Sequence, residues 1–344
     1  MCRRHFFQLL RVFVIVAVYK YILCPISIGK LYHWIRGQAM LKLYVLMSMV
    51  EVFDRLMCSL GQDALDSLYW NCTRRPYHPR MIASTIVVLV YTIIHSLILF
   101  VHVATLNVAM NSADQALLAL LISGNFAEIK STVFKKYNKQ NLFKITTSDI
   151  CERFKLFLFL GLVLLLNCSQ GGMNKEMVND YLYMSGLIIF AEMLCDWVKH
   201  SFITKFNFIK SSVYYDYSLV MAGDITGIGH DSMNIEVTHA VVKRLGFPQI
   251  PLVCVMFRYF REAARYAETL THDGDSNHVL YGFAVVLTQG AWYTLLGYFI
   301  FFFICLFALK FLLGYAIVTM ARNIFLYGPL EVDNEKKDKP TRRS

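Results

Sequence analysis

The sequence predicts an all-α polytopic membrane protein with about five to seven membrane segments plus amphipathic interfacial helices, and three observations carry that expectation. Residues 82–106 form a run of 25 without one Asp, Glu, Lys or Arg. A helix satisfies its own backbone across ~30 Å of hydrocarbon, and a run of this length suffices to cross it. The 344-residue chain is 56% hydrophobic and 17% charged, with a mean hydropathy of +0.46, more than a soluble core needs. Its net charge of +10 lies in Lys and Arg residues between apolar runs, a pattern of membrane orientation rather than of nucleic-acid binding.

Taken in order, Phe6 to Cys24 follows Arg3 and Arg4 but is interrupted by Arg11 and Lys20, with no small-residue cleavage site before Pro25. It is expected to be a retained membrane or interfacial helix rather than a signal peptide. Leu41 to Trp70 is helical in pattern, with Ser48, Glu51, Arg55, Gln62 and Asp66 projecting onto one face at 100° per residue. That makes it an amphipathic helix, at the membrane surface or against the bundle. Arg74, Arg75 and Arg80 mark a cytosolic approach to the 82–106 span. Ala116 to Ile122 is too short to cross alone, and Lys130, Lys135, Lys136, Lys139 and Lys144 follow. Both flanks of the first strong span are then basic, so residues 107–127 are expected to turn back as a short or re-entrant segment.

Thr147 to Glu152 offers an N-cap with acidic residues in the first turn before the apolar run Phe154 to Cys168, which Gln170-Gly171-Gly172 ends. With Tyr181 to Val198 it forms an expected hairpin whose turn lies on the non-cytosolic side. Residues 211–247 look like a cytosolic loop carrying some helix. Pro248 and Pro251 punctuate a short apolar piece, Leu252 to Phe257, that ends at Arg258, Arg261 and Arg265. Val279 to Thr319 is too long for one crossing; a break at Gln289-Gly290 leaves Trp292 to Thr319 as the span. One membrane domain over 1–330 is expected, followed by a disordered polar tail, 331–344.

Candidate chemistry is sparse. Glu192 and Asp196 stand one turn apart in an apolar segment, where a carboxylate costs about 3 kcal/mol and faces a cavity or a partner. A cation or proton pathway is one reading; an ion-paired helix end with Lys199 or Arg153 is the favoured one. Ser84, Tyr91, His95 and His102 share a face of the 82–106 helix, and interhelical hydrogen bonding is favoured there over metal binding. Gly223, Gly227 and Gly229 lack the spacing of a phosphate loop, and His230-Asp231 and His272-Asp273 have no nucleophile in context. The nine cysteines stand singly, so neither a metal site, a cofactor site nor a disulfide framework is expected. The sequons at Asn71 and Asn167, beside arginines and at a membrane edge, are expected to carry no glycan.

The segment IRGQAMLKLYVLMSMVEVFDRLMCSLGQDALDSLYW, Ile35 to Trp70, resembles the signature of the transmembrane anterior posterior transformation (Tapt) family. The likeness continues in order through Thr105 to Phe154, Val198 to Asn207 and Arg244 to Arg258. The longer polar N-terminal region and further hydrophobic segment of the family pattern are not matched, and the 211–243 loop is divergent. The resemblance implies a multi-pass protein of the endoplasmic reticulum with no assigned catalytic activity and, as for fungal relatives, a SUN-like membrane partner; a non-enzymatic scaffold or quality-control component is the expected role. It implies a link to cilia or centrosomes and patterning in animals. Membrane lipids and other membrane proteins are the expected partners. The contacting surfaces would be Glu51, Asp54, Arg55, Gln62 and Asp66 with the basic run Lys130, Lys135 and Lys136. The alternative is an ion or small-solute transporter or channel using Glu192 and Asp196.

Overall fold

The computed structural model describes residues 3–38, 40–74, 78–111, 116–170, 175–226, 237–273, 304 and 307–324. Among them every regular element is helical: α1 (Arg3–Val18) with a π-helical turn Tyr19–Leu23, α2 (Ile28–Arg36), α3 (Met40–Arg74), α4 (Pro79–Met110), α5 (Ala116–Val133), α6 (Lys139–Ser169), α7 (Lys175–Phe206), α8 (Ser212–Thr226), α9 (Val237–Leu245) and α10 (Gln249–Asp273). A final helix covers Phe307–Ile324, inside the expected Trp292 to Thr319 span at its start. The expected break at Gln289-Gly290, the tail 331–344, and the Gly227, Gly229 and His230-Asp231 motifs lie outside the described residues. Four described helices are long and apolar enough to cross a membrane: Phe6–Leu23, Pro79–Met110, Glu176–Phe206 and Phe307–Ile324. The chain divides into two compact units. The first takes 1–134, 148–200 and 246–289; the second takes 135–147, 201–245 and 290–344.

In the first unit, side-chain pairings fix the direction of each helix. α3 lies antiparallel along α4, because Asp54 meets His95 while Asn71 donates to Ser84 at 2.6 Å. The contact is close: a Cβ on Gly61 would enter the ring of Tyr91, so only glycine fits there. Of the two placements left open for this helix, surface or bundle, the bundle is the one observed. Ala64, Leu68, Tyr69 and Cys72 are buried against Phe7 and Val88. Val45, Met49, Val52, Phe53, Leu56 and Leu60 remain exposed on the outer side.

α6 runs with α4, since Asn111 and Asn167 exchange amide hydrogen bonds at 3.2 and 3.1 Å and His102 packs on Phe159. α7 returns against α6, with Tyr181 donating to the Leu160 carbonyl at 2.9 Å and Lys199 meeting Asp149. This is the expected hairpin. α5 pairs Asn125 with Glu192 and Glu128 with Lys199, so it follows α7 and turns back against α4, as the charge pattern required.

Two sequence expectations are corrected. The helix read from Thr147 to Glu152 as its start begins eight residues earlier, at Lys139, where Asn138 Oδ1 accepts from the Asn141 amide at 2.8 Å. Thr146 and Thr147 are interior residues whose hydroxyls donate back to the Leu142 and Lys144 carbonyls, each at 2.9 Å. Nor does the helix at Leu252 stop at Arg258. α10 starts with Pro251 in its first turn, where a missing N–H costs nothing, and continues to Asp273. Arg258 is 2% exposed and donates to the carbonyls of Leu23 at 3.0 Å and Ile26 at 2.7 Å, reinforcing the turn after the first helix, where Leu23 also accepts from the Ile26 amide at 3.3 Å.

The second unit has its own small core of Leu142, Ile203 and Val213, with Phe143 against Tyr217 at 4.8 Å. Arg244 pairs with Asp224 and lies over the Phe143 ring. α7 ends on Phe208, whose φ of 53° is the left-handed conformation normally given to glycine after a helix. The Asn207 side chain accepts from the Tyr137 amide at 2.8 Å and holds this corner.

Candidate functional site

The heart of the first unit is a hydrogen-bonded chain of buried polar groups. The Tyr91 hydroxyl and His95 Nδ1 are 2.9 Å apart, and His95 Nε2 lies 2.7 Å from Asp54 Oδ1. The second oxygen of Asp54 is held by the Lys155 ammonium. His95 is fully buried and Asp54 is 3% exposed. A bare carboxylate in such surroundings would cost several kcal/mol, and the cation with its hydrogen bonds offsets that cost. Asp54, expected among the partner-contacting residues, is therefore turned inward. It stands one residue, about 100° of helix, from Arg55, which places it on the side of α3 that faces α4 and α6.

One step outward, Arg55 faces three carboxylates on three helices: Glu51 at 3.1 Å, Glu128 at 3.1 Å and Glu152 at 3.4 Å. Carboxylate oxygens of the three glutamates lie within 4.8 Å of one another. Such hard oxygen donors suit a cation, and the Arg55 guanidinium already supplies one. A second group of donors within the same distance, Asp54, Cys58 and His95, has its Asp and His committed to Lys155 and Tyr91. Both ring nitrogens of His95 are engaged, which leaves none to serve as a base for the Cys58 thiol.

These groups open into a groove of about 380 Å3 lined by residues of α3 to α7, among them Glu51, Arg55, His102, Glu128, Glu152 and Glu192. His102 Nδ1 is sealed from solvent without a hydrogen-bond partner. Two walls, carrying His102 and Glu192, belong to helices that are long and apolar enough to span a membrane.

The structure separates the two carboxylates singled out in the sequence. Asp196 is buried and paired with Lys199 at 2.9 Å and Arg153 at 3.3 Å, both of the partners expected for an ion-paired helix end. Lys199 also holds Asp149 at 2.9 Å, and His200 lies 2.8 Å from the same carboxylate. Glu192 points into the groove and accepts from the Asn125 amide. Gln62 lies against Gly246, whose φ of 72° calls for glycine. Asp66 is half-buried, and Lys130 is exposed on α5. Lys135 and Lys136 are exposed in the second unit. Of the expected interhelical hydrogen bonds on α4, Ser84 and His95 make theirs to α3. Asn71 and Asn167 have their amides tied to Ser84 and Asn111. Sequence reading passed over Lys155, Glu152 and Asn125. A lone lysine at the start of an apolar run was the available signal, because such a charge persists only with a partner.

Residues 1–325 match the model of a family described as "Eukaryotic membrane protein family". The chain is 36% identical over 263 residues to the transmembrane anterior posterior transformation protein 1 homologs of Xenopus laevis and Homo sapiens, covering 75% of this chain and 48% and 46% of theirs. It is 35% identical over 292 residues to the protein TAPT1 homolog of Caenorhabditis elegans, covering 82% of this chain and 40% of that one. The chain thus spans about half the length of the relatives it matches or less. No solved structure matches it. With apolar helices in a bundle, a family model matched across nearly the whole sequence and relatives at 35–36% identity over three quarters of the chain or more, the chain belongs to the Tapt family of multi-pass eukaryotic membrane proteins.

Proposed function

We propose that this protein is a non-enzymatic scaffold or quality-control component of the endoplasmic reticulum membrane, with a link to cilia or centrosomes in animals. The observation that carries the reading is the uneven exposure of its charges. Asp54, Asp196, Lys155 and Lys199 are buried in mutual pairs, whereas Glu51 and Arg55, with side chains 52% and 43% exposed, present ionic groups at the mouth of the groove. The buried pairs hold helices together, and the ionic groups left at the groove can meet a charged group of another molecule. Membrane lipids and a membrane protein, by family resemblance a SUN-like one, are the partners. Charge reversal at the exposed Glu51 and Arg55 should reduce recovery of a membrane partner from native membranes by cross-linking. Equal recovery from wild type and the doubly reversed variant would remove the reading, and proximity labelling in another organelle would remove the location.

A second reading, conduction of an ion or small solute, is favoured by Glu192, a carboxylate on a membrane helix that lines the groove. Flux in proteoliposomes that stops in Glu192→Gln is its expected outcome. Absence of flux disposes of it.

A further inference from the structure

The groove combines three features that a structural ion cluster does not need together. Its carboxylates are in excess. Glu51, Glu128, Glu152 and Glu192 line it, while Lys155 is spent on Asp54 and Lys199 chiefly on Asp149 and Asp196, so Arg55 faces the glutamates nearly alone. It is also continuous with an apolar face: Val52 belongs to the lining and to the exposed row Val45, Met49, Val52 and Leu56 on α3. That row recurs at spacings of four, three and four, the repeat by which one helix seats another. Its rim, finally, carries the small residues Ser48 and Gly124, which allow backbones to approach closely.

We propose that the groove is a docking site for a membrane-spanning helix of another protein that carries a lysine or arginine within its apolar run. The proposal rests on the scaffold reading and names the chemistry of its partner. A basic side chain in a bilayer is costly until it meets an opposite charge, and the four glutamates supply it while the α3 row packs against the apolar turns on either side. A free solute cation would use the carboxylates and leave the α3 row unexplained. A lipid amine would use both but not the helical repeat.

The test uses the full chain in phosphatidylcholine proteoliposomes with a synthetic Leu/Ala helix bearing one central Lys, and the same helix bearing Leu or Glu, association being read by energy transfer. The Lys helix should bind about tenfold more tightly than the Leu helix, the size expected of one interhelical polar contact. Glu128→Gln with Glu152→Gln should abolish that margin. These substitutions touch the Arg55 cluster, and so does Glu51→Lys, but at a position 52% exposed it should shift preference toward the Glu helix, a gain that loss of folding does not produce. Equal binding of Lys and Leu helices, or a margin unchanged in both variants, would overturn the proposal. So would displacement of the Lys helix by phosphatidylethanolamine at mole fractions where phosphatidylcholine has no effect, since the occupant would then be a lipid amine. Failure of the scaffold reading has another signature, a persistent lysine preference with no stable membrane partner recovered from native membranes.

Discussion

Asp54 and Arg55 are adjacent in sequence and belong to two differently built regions. Around Asp54, both carboxylate oxygens and both imidazole nitrogens find a mate: His95 and Lys155 on the carboxylate, Tyr91 behind the imidazole. Around Arg55, one cation meets three carboxylates at a surface where water or another molecule can enter. The inner region binds α3 to α4 and α6, and the outer one is left with charge unspent. Burial and completeness of pairing together separate the two regions.

The contrast breaks most sharply at the inner pair. Replacing Lys155 with Met should leave Asp54 uncompensated and cost about 3–5 kcal/mol, seen as a large fall in thermal midpoint in detergent. The double variant Asp54→Asn, Lys155→Met should recover much of it. A loss below about 1 kcal/mol in the single variant would mean that the pair does not pin these helices. Next in size is Gly61→Val, which should cost about 1–3 kcal/mol by forcing side-chain atoms into Tyr91, with recovery when Tyr91 is also made Leu. Lack of recovery would place the clash elsewhere. At the outer region, Arg55→Gln should change stability by no more than about 1 kcal/mol, because Arg55 itself and its in-helix partner Glu51 are 43% and 52% exposed. The expected consequence there is altered partner recovery, so a midpoint shift as large as that of Lys155→Met would erase the distinction between the two regions. Asp196→Asn removes one of the two close carboxylates from Lys199. Lys199 keeps Asp149, so the shift should fall short of the Lys155 variant and partner recovery should not change.

Local pattern revealed α4, the α6–α7 hairpin and the return of α5, because apolar run length and loop charge are set by the bilayer itself. It also found α3 as a helix and placed Glu51 and Arg55 on one face. It missed the inward turn of Asp54, the depth of Lys155 and the burial of Arg258. Each of those depends on a mate on another helix, 41, 101 or 235 residues away, and a single-helix wheel treats any ion as a solvent-facing one. Glu192 and Asp196 show the same limit. One turn apart and alike in sequence, they differ because Arg153 and Lys199 meet only one of them.

The clasp of Arg258 on Leu23 and Ile26 has a consequence for biosynthesis. The Arg258 guanidinium reaches the Leu23 and Ile26 carbonyls only after a residue 235 positions beyond Leu23 has left the ribosome, on the order of 10–50 s at ordinary translation rates. Until then local hydrogen bonds such as Ile26 to Leu23 hold the end of the first helix, and the tenth helix locks it on arrival.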